Sequence, residues 1–138
     1  MNIGIIAHSS KRILIEDFCI AYKTILSAHD IYATGTTGRR IEETANIHVH
    51  KFLPGSLGGY KQFTEMINRN AMDMVIFFYN PNMVDRDQGD TDVASIIHAC
   101  DLNSIPIATN IGTAEMLILG LARGDLDWRI TLYDHENN

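Results

Sequence analysis

The chain opens on an apolar run, "NIGIIA" at residues 2–7, of the length and character of a buried strand. Over 11–27 the apolar positions Ile13, Leu14, Phe18, Ala21 and Ile25 recur at a helical spacing, with polar residues between them. A second strand is expected at 30–33, and the segment after it opens into a helix running to about Ala45. A third strand is predicted at 47–50, followed by the glycine-rich loop "LPGSLGGY" and a helix over 61–69. "DMVIFFY" at 73–79 is nearly all apolar, as expected of a central parallel strand covered on both faces. A polar loop, "NPNMVDRDQGD", leads into a helix from about Thr91 to Leu102. A fifth strand is predicted at 105–109, a helix at 113–121, and a polar arm or short helix over 125–138.

Strands alternating with helices specify a parallel sheet with helices on both faces. The expected fold is α/β: a doubly wound, Rossmann-like sheet of five parallel strands, forming one domain over 1–138. In such sheets ligands bind outside the carboxyl ends of the strands. His8, Thr34–Gly38, 54–60, 80–92 and 110–113 each follow a strand, so all five polar clusters are expected on one rim.

Size and composition narrow the possibilities. At 138 residues and 15.5 kDa the chain is long enough for one proper core and short for two. A formal net charge of −6 with no basic stripe argues against a nucleic-acid surface. No signal peptide is evident, and the apolar runs are too short to span a bilayer. Cys19 and Cys100 lie in periodic apolar stretches without CxxC spacing, which suits buried thiols in a reducing cytoplasm.

The segment "IYATGTTGRR" at 31–40 holds the first chemistry. Glycines permit close approach of the backbone, a helix start leaves N–H groups unpaired, and threonine hydroxyls add neutral donors. That set suits a phosphate group, with Arg12 supplying charge. The competing reading is that Thr36 or Thr37 only caps the next helix. A second glycine-rich loop on the same rim favours phosphate.

Two metal-like patterns weaken on inspection. "DRDQGDTD" at 85–92 resembles the start of a calcium loop, but Ile96 stands where the closing glutamate belongs. "HVH" at 48–50 puts two histidines on one strand face with no third ligand nearby. No metal and no cofactor are expected.

Six segments, in order, resemble the methylglyoxal synthase family: "IAHSSKR", "YATGTTG", "GSLGGYKQ", "DMVIFFYNP", "DTDV" and "IPIATNIGTAE". The resemblance runs from residue 2 to about residue 130. It implies the same doubly wound fold, a homohexamer, and a site for dihydroxyacetone phosphate. Members of the family take a proton from that substrate, form an enediolate and expel inorganic phosphate. On the phosphate side Thr34, Thr36, Thr37 and Gly55 match the family pattern, and Arg12 stands where the family has lysine. Pro54 stands where the family has a serine on the phosphate, with Ser56 two residues on. Gly38, Gly58, Gly59 and Tyr60 complete the candidate phosphate-binding residues.

The acid–base side departs from the pattern. Tyr60 replaces the aspartate that serves as general base. A carboxylate is ionised at neutral pH, whereas a phenol has a reference pKa of about 10. Ser9 and Asn80 replace two more aspartates, and the histidine expected near Gly89 is missing from a longer loop. His98 lies inside a predicted helix and does not substitute for it. His8 and Asp92 remain as catalytic candidates. These departures lead to a protein that binds a triose phosphate or a nucleotide-derived ligand without the elimination, as a sensor, regulator or sequestering protein. The alternative is an active, divergent synthase using His8 and Asp92.

Overall fold

The computed structural model describes residues 1–82 and 93–130, the side chain of Ser56 excepted. Five parallel strands, β1 (Asn2–Ala7), β2 (Asp30–Thr34), β3 (Val49–Phe52), β4 (Met74–Phe78) and β5 (Ile107–Ala108), form one sheet in the order β3-β2-β1-β4-β5. The α-helices are α1 (Arg12–Ala21), α2 (Lys23–Leu26), α3 (Gly35–Ala45), α4 (Gly59–Asn68), α5 (Val93–Leu102) and α6 (Ile111–Arg123). The expected doubly wound α/β sheet is therefore present. Its strand order reverses between β1 and β4, whose registers pair Ile3 with Met74 through Ala7 with Phe78.

Two cores follow from the alternation of side chains across the strands. On one face Ile3, Ile5, Ile31, Ala33, Ile76 and Phe78 pack with Ile15, Phe18, Ile41 and Ile118 of α1, α3 and α6. On the other, Ile6, Val75 and Phe77 pack with Phe63, Ile67, Ile96 and Cys100 of α4 and α5. All five residues of β4 are buried, as its uninterrupted apolar run requires.

Several elements differ from the expected ones, the last strand shortening to Ile107–Ala108 among them. The helix expected over 11–27 begins with a short 3-10 turn at Ser9–Lys11 and breaks at Tyr22, whose φ of −110° and ψ of 25° are not helical. Strand β3 starts two residues late, because pairing with β2 aligns Ile31 with Val49 and Thr34 with Phe52. Within the polar C-terminal stretch, Arg129 is buried rather than solvated. Its guanidinium donates to the Ser104 carbonyl at 2.8 Å, Asn70 Oδ1 at 2.6 Å, the Met72 carbonyl at 3.2 Å and Asp73 Oδ1 at 3.3 Å.

Arg129 thus ties the chain after α6 to the entrance of β4, far from the carboxyl rim. Replacing it with Met strands these acceptors in a buried setting. A stability loss of about 2–4 kcal/mol is expected in urea unfolding, since buried acceptors left without their charged donor are costly. A loss below about 1 kcal/mol would show that water replaces the guanidinium.

Candidate functional site

The carboxyl ends of β1 and β2 feed directly into helix starts, which fixes the two loops with the richest chemistry. After β1, the His8 N–H donates to the Phe78 carbonyl at 2.8 Å, pinning the histidine where the strand order reverses. His8 then caps the 3-10 turn: its Nδ1 accepts from the Ser10 N–H at 3.1 Å and lies 2.9 Å from Ser10 Oγ. A backbone N–H can only donate, so Nδ1 is the acceptor and the neutral ring carries its proton on Nε2. That leaves an Nε2–H donor free for a ligand.

Arg12 begins α1. Its Nε is fully buried yet has no hydrogen-bond partner among the described residues. A buried guanidinium N–H without an acceptor is costly, and an anion would remove the cost.

After β2, Thr34 is the N-cap of α3, but its side chain makes no capping hydrogen bond. Among the described residues the hydroxyls of Thr34, Thr36 and Thr37 have no partner, although Thr34 and Thr37 are buried. The capping explanation for these threonines therefore fails. The first turn of α3 instead presents open N–H groups and three free hydroxyls together. A side chain on Gly38 would meet Lys51 Cγ at 2.7 Å and Val49 at 3.1 Å. Its small size serves the packing of α3 on β3.

The loop after β3 is folded onto this turn. The Gly35 N–H approaches the Leu53 carbonyl at 3.5 Å, and a side chain on Gly35 would meet Pro54 N at 3.6 Å. Sequence reading missed Gly35, the residue that lets the two loops abut. A 3-10 turn at Gly55–Leu57 follows, with the N–H groups of Leu57 and Gly59 both donating to the Pro54 carbonyl at 2.9 and 3.1 Å. Gly58 has a φ of +106°, a left-handed conformation that favours glycine, and a side chain on Gly59 would run into the Leu53 carbonyl. Tyr60 opens α4, and its ring lies on Gly55: a methyl there would sit 2.5 Å from the ring Cζ and 2.9 Å from the hydroxyl.

The acid–base candidates are less complete. Asn80 turns its own loop, its Oδ1 accepting from the Asn82 N–H at 3.0 Å. His98 is exposed on α5. Asp92 and the 85–92 segment lie outside the described residues, as does the Ser56 side chain. His48 and His50 stack edge to face with centroids 5.0 Å apart, and no group of three metal-binding side chains forms among the described residues. Both cysteines are free and buried. Burial, helped by Glu16, pushes the Cys19 thiol up to about 12, and burial with Asp101 does the same for Cys100. Neither is a thiolate nucleophile at neutral pH.

The arrangement presents a half-buried arginine with an unpaired Nε–H, neutral hydroxyls and open N–H groups at the switch point of a parallel sheet, a combination suited to a phosphate group. Comparison with known proteins identifies the family. The MGS-like domain family matches residues 15–109. Methylglyoxal synthase of Caldicellulosiruptor saccharolyticus is 52% identical over 129 residues, covering 94% of this chain and 90% of that protein. Methylglyoxal synthase of Listeria welshimeri is 50% identical over 129 residues, covering 94% and 95%. The crystal structure of methylglyoxal synthase from Elizabethkingia anophelis superposes with a TM-score of 0.78 at 32% identity, covering 85% of this chain and 76% of that one. With half of its residues shared across nearly its whole length, this chain belongs to the methylglyoxal synthase family.

Proposed function

We propose that the carboxyl rim holds a triose phosphate by its phosphate group, and that the chain converts dihydroxyacetone phosphate to methylglyoxal with a reduced acid–base set. The observation that carries the binding half is the unpartnered donor set of Arg12 Nε, Thr34, Thr36 and Thr37. Gly55, Ser56, Gly58 and Gly59 supply the second loop around the phosphate. The chemical half is supported by relatives about half identical to this chain, all bearing the name of the synthase.

The reaction needs a base, a carbonyl-polarising donor and a phosphate cradle. A base lifts a proton from the hydroxymethyl carbon, and the electron pair forms the double bond of an enediolate. That pair then breaks the C–O bond to phosphate, so inorganic phosphate leaves and the remaining enol becomes methylglyoxal. Asp92 is the carboxylate assigned to the proton. His8 Nε2–H is assigned to the carbonyl oxygen, where negative charge develops.

A second reading is favoured by one observation. Tyr60 occupies the position that the resemblance gives to the base, and its ring rests on Gly55. On that reading the protein keeps the ligand and omits the elimination, acting as a sensor, regulator or sequestering protein. A coupled assay for phosphate release from dihydroxyacetone phosphate separates the two. Release above background that Asp92→Asn abolishes supports the lyase; tight binding without release transfers the function to the second reading.

The chain is further read as a cytoplasmic homo-oligomer, a hexamer by the family resemblance, with no nucleic-acid partner. No helix among the described residues is long and apolar enough to cross a membrane. Ile13, Leu57 and Met116 are 71%, 69% and 75% exposed, apolar surface that self-association would cover. Light scattering is expected to give a mass well above 15.5 kDa, and a monomer at micromolar concentration would contradict it.

A further inference from the structure

We infer that the Tyr60 hydroxyl donates a hydrogen bond to the ligand's phosphate, making Tyr60 a binding residue of the cradle rather than a failed base. The inference rests on the phosphate-site reading above and adds a donor to it. Three observations carry it.

First, the ring is anchored. Tyr60 packs its apolar body on the core that contains Phe63 and Ile6, and its ring lies over Gly55. The phenol is therefore held in one direction, with its tip carried to the loop. Second, the tip ends beside Gly55, where a methyl group would lie 2.9 Å from the hydroxyl oxygen. Through Pro54 this loop touches Gly35, at the start of the threonine-bearing turn. Third, Tyr60 is half-buried, and its hydroxyl has no partner among the described residues and is not among their buried unpaired atoms, so it stands open to a ligand.

The need for a donor at this point follows from the neighbouring residue. Pro54 has neither an N–H nor a hydroxyl, so the leading edge of the loop offers nothing at that position. Tyr60 reaches the same loop from α4 and restores a neutral O–H there. Neutral donors of this kind fit a phosphate already facing Arg12.

The test titrates inorganic phosphate into the purified chain by calorimetry. Tyr60→Phe keeps the ring and removes only the hydroxyl. It is expected to weaken phosphate about tenfold, as for loss of one hydrogen bond to a charged group, with the melting temperature of the phosphate-free protein unchanged. Adding Pro54→Ser to Tyr60→Phe returns a hydroxyl to the loop and is expected to recover most of the affinity. Unchanged affinity in Tyr60→Phe overturns the inference, as does a loss accompanied by a lower melting temperature of the phosphate-free protein, which would assign the effect to the fold. Failure of the underlying reading looks different: the wild type itself would not bind phosphate, and the inference would fall with it.

Discussion

Replacing Thr36 and Thr37 together by valine is expected to weaken phosphate-bearing ligands at least tenfold while leaving the fold as stable as before. The two halves of that expectation come from the same fact. Among the described residues neither hydroxyl has a hydrogen-bond partner, so removing them deprives the protein of nothing internal. Thr37 is 4% exposed, and valine there replaces a hydroxyl without an internal partner among the described residues by a methyl group of nearly the same volume. A bound phosphate does lose something, because hydrogen bonds to a charged group contribute about 1.5–3 kcal/mol each. Affinity and stability should therefore separate: titration with dihydroxyacetone phosphate weakens, and urea unfolding stays level or improves. A variant that binds normally would return the threonines to a local role in α3. One that unfolds early would mean the hydroxyls support the protein itself.

The rim that carries the candidate site was legible in the sequence because it depends only on alternation. Once strands and helices alternate, every loop following a strand falls on one rim, and the polar residues are found there. Strand order was not legible, since the sequence says nothing of which strands are neighbours. Only the β1–β4 pairing puts His8 beside the end of β4. The Tyr60 ring on Gly55 was equally hidden, because it depends on how α4 leaves a left-handed glycine at 58. Arg129 was read as part of a polar arm. Its burial comes from acceptors at 70, 72, 73 and 104, too far along the chain for any local pattern to reveal.

The family relationship and the individual residues pull in different directions. An identity of 52% over 129 residues is an average over the whole fold and weights a core isoleucine like an active-site carboxylate. The departures named by the resemblance, at Ser9, Pro54, Tyr60 and Asn80, are not spread through the fold. Each follows the carboxyl end of a strand. Whole-chain similarity therefore decides the family, while the rate is decided by a handful of groups at one rim. On the proposed function, phosphate binding would rest on Arg12 and the threonines, the set that stays near the family pattern, and proton transfer on the set that departs from it.

Tyr60→Asp should separate those two sets in a single variant. The substitution puts a carboxylate at the position that the resemblance gives to the base, at the start of α4 and beside the loop containing Gly55. Positioned general-base catalysis typically contributes about 10²–10⁴-fold, so exchange of substrate hydrogen for solvent deuterium should rise strongly even if phosphate is not expelled. The same change removes the phenol O–H and brings a negative charge towards the phosphate. Ligand affinity should therefore fall, by about tenfold or more, as expected from loss of one hydrogen bond to a charged group. Faster proton exchange together with a higher KM is the signature of a base regained and a donor lost. If the wild type already exchanges deuterium quickly and Tyr60→Asp does no better, Asp92 is the working base and Tyr60 belongs to binding alone. If neither protein exchanges but both bind phosphate, the rim lacks the geometry for proton abstraction and the binding-only reading replaces the lyase.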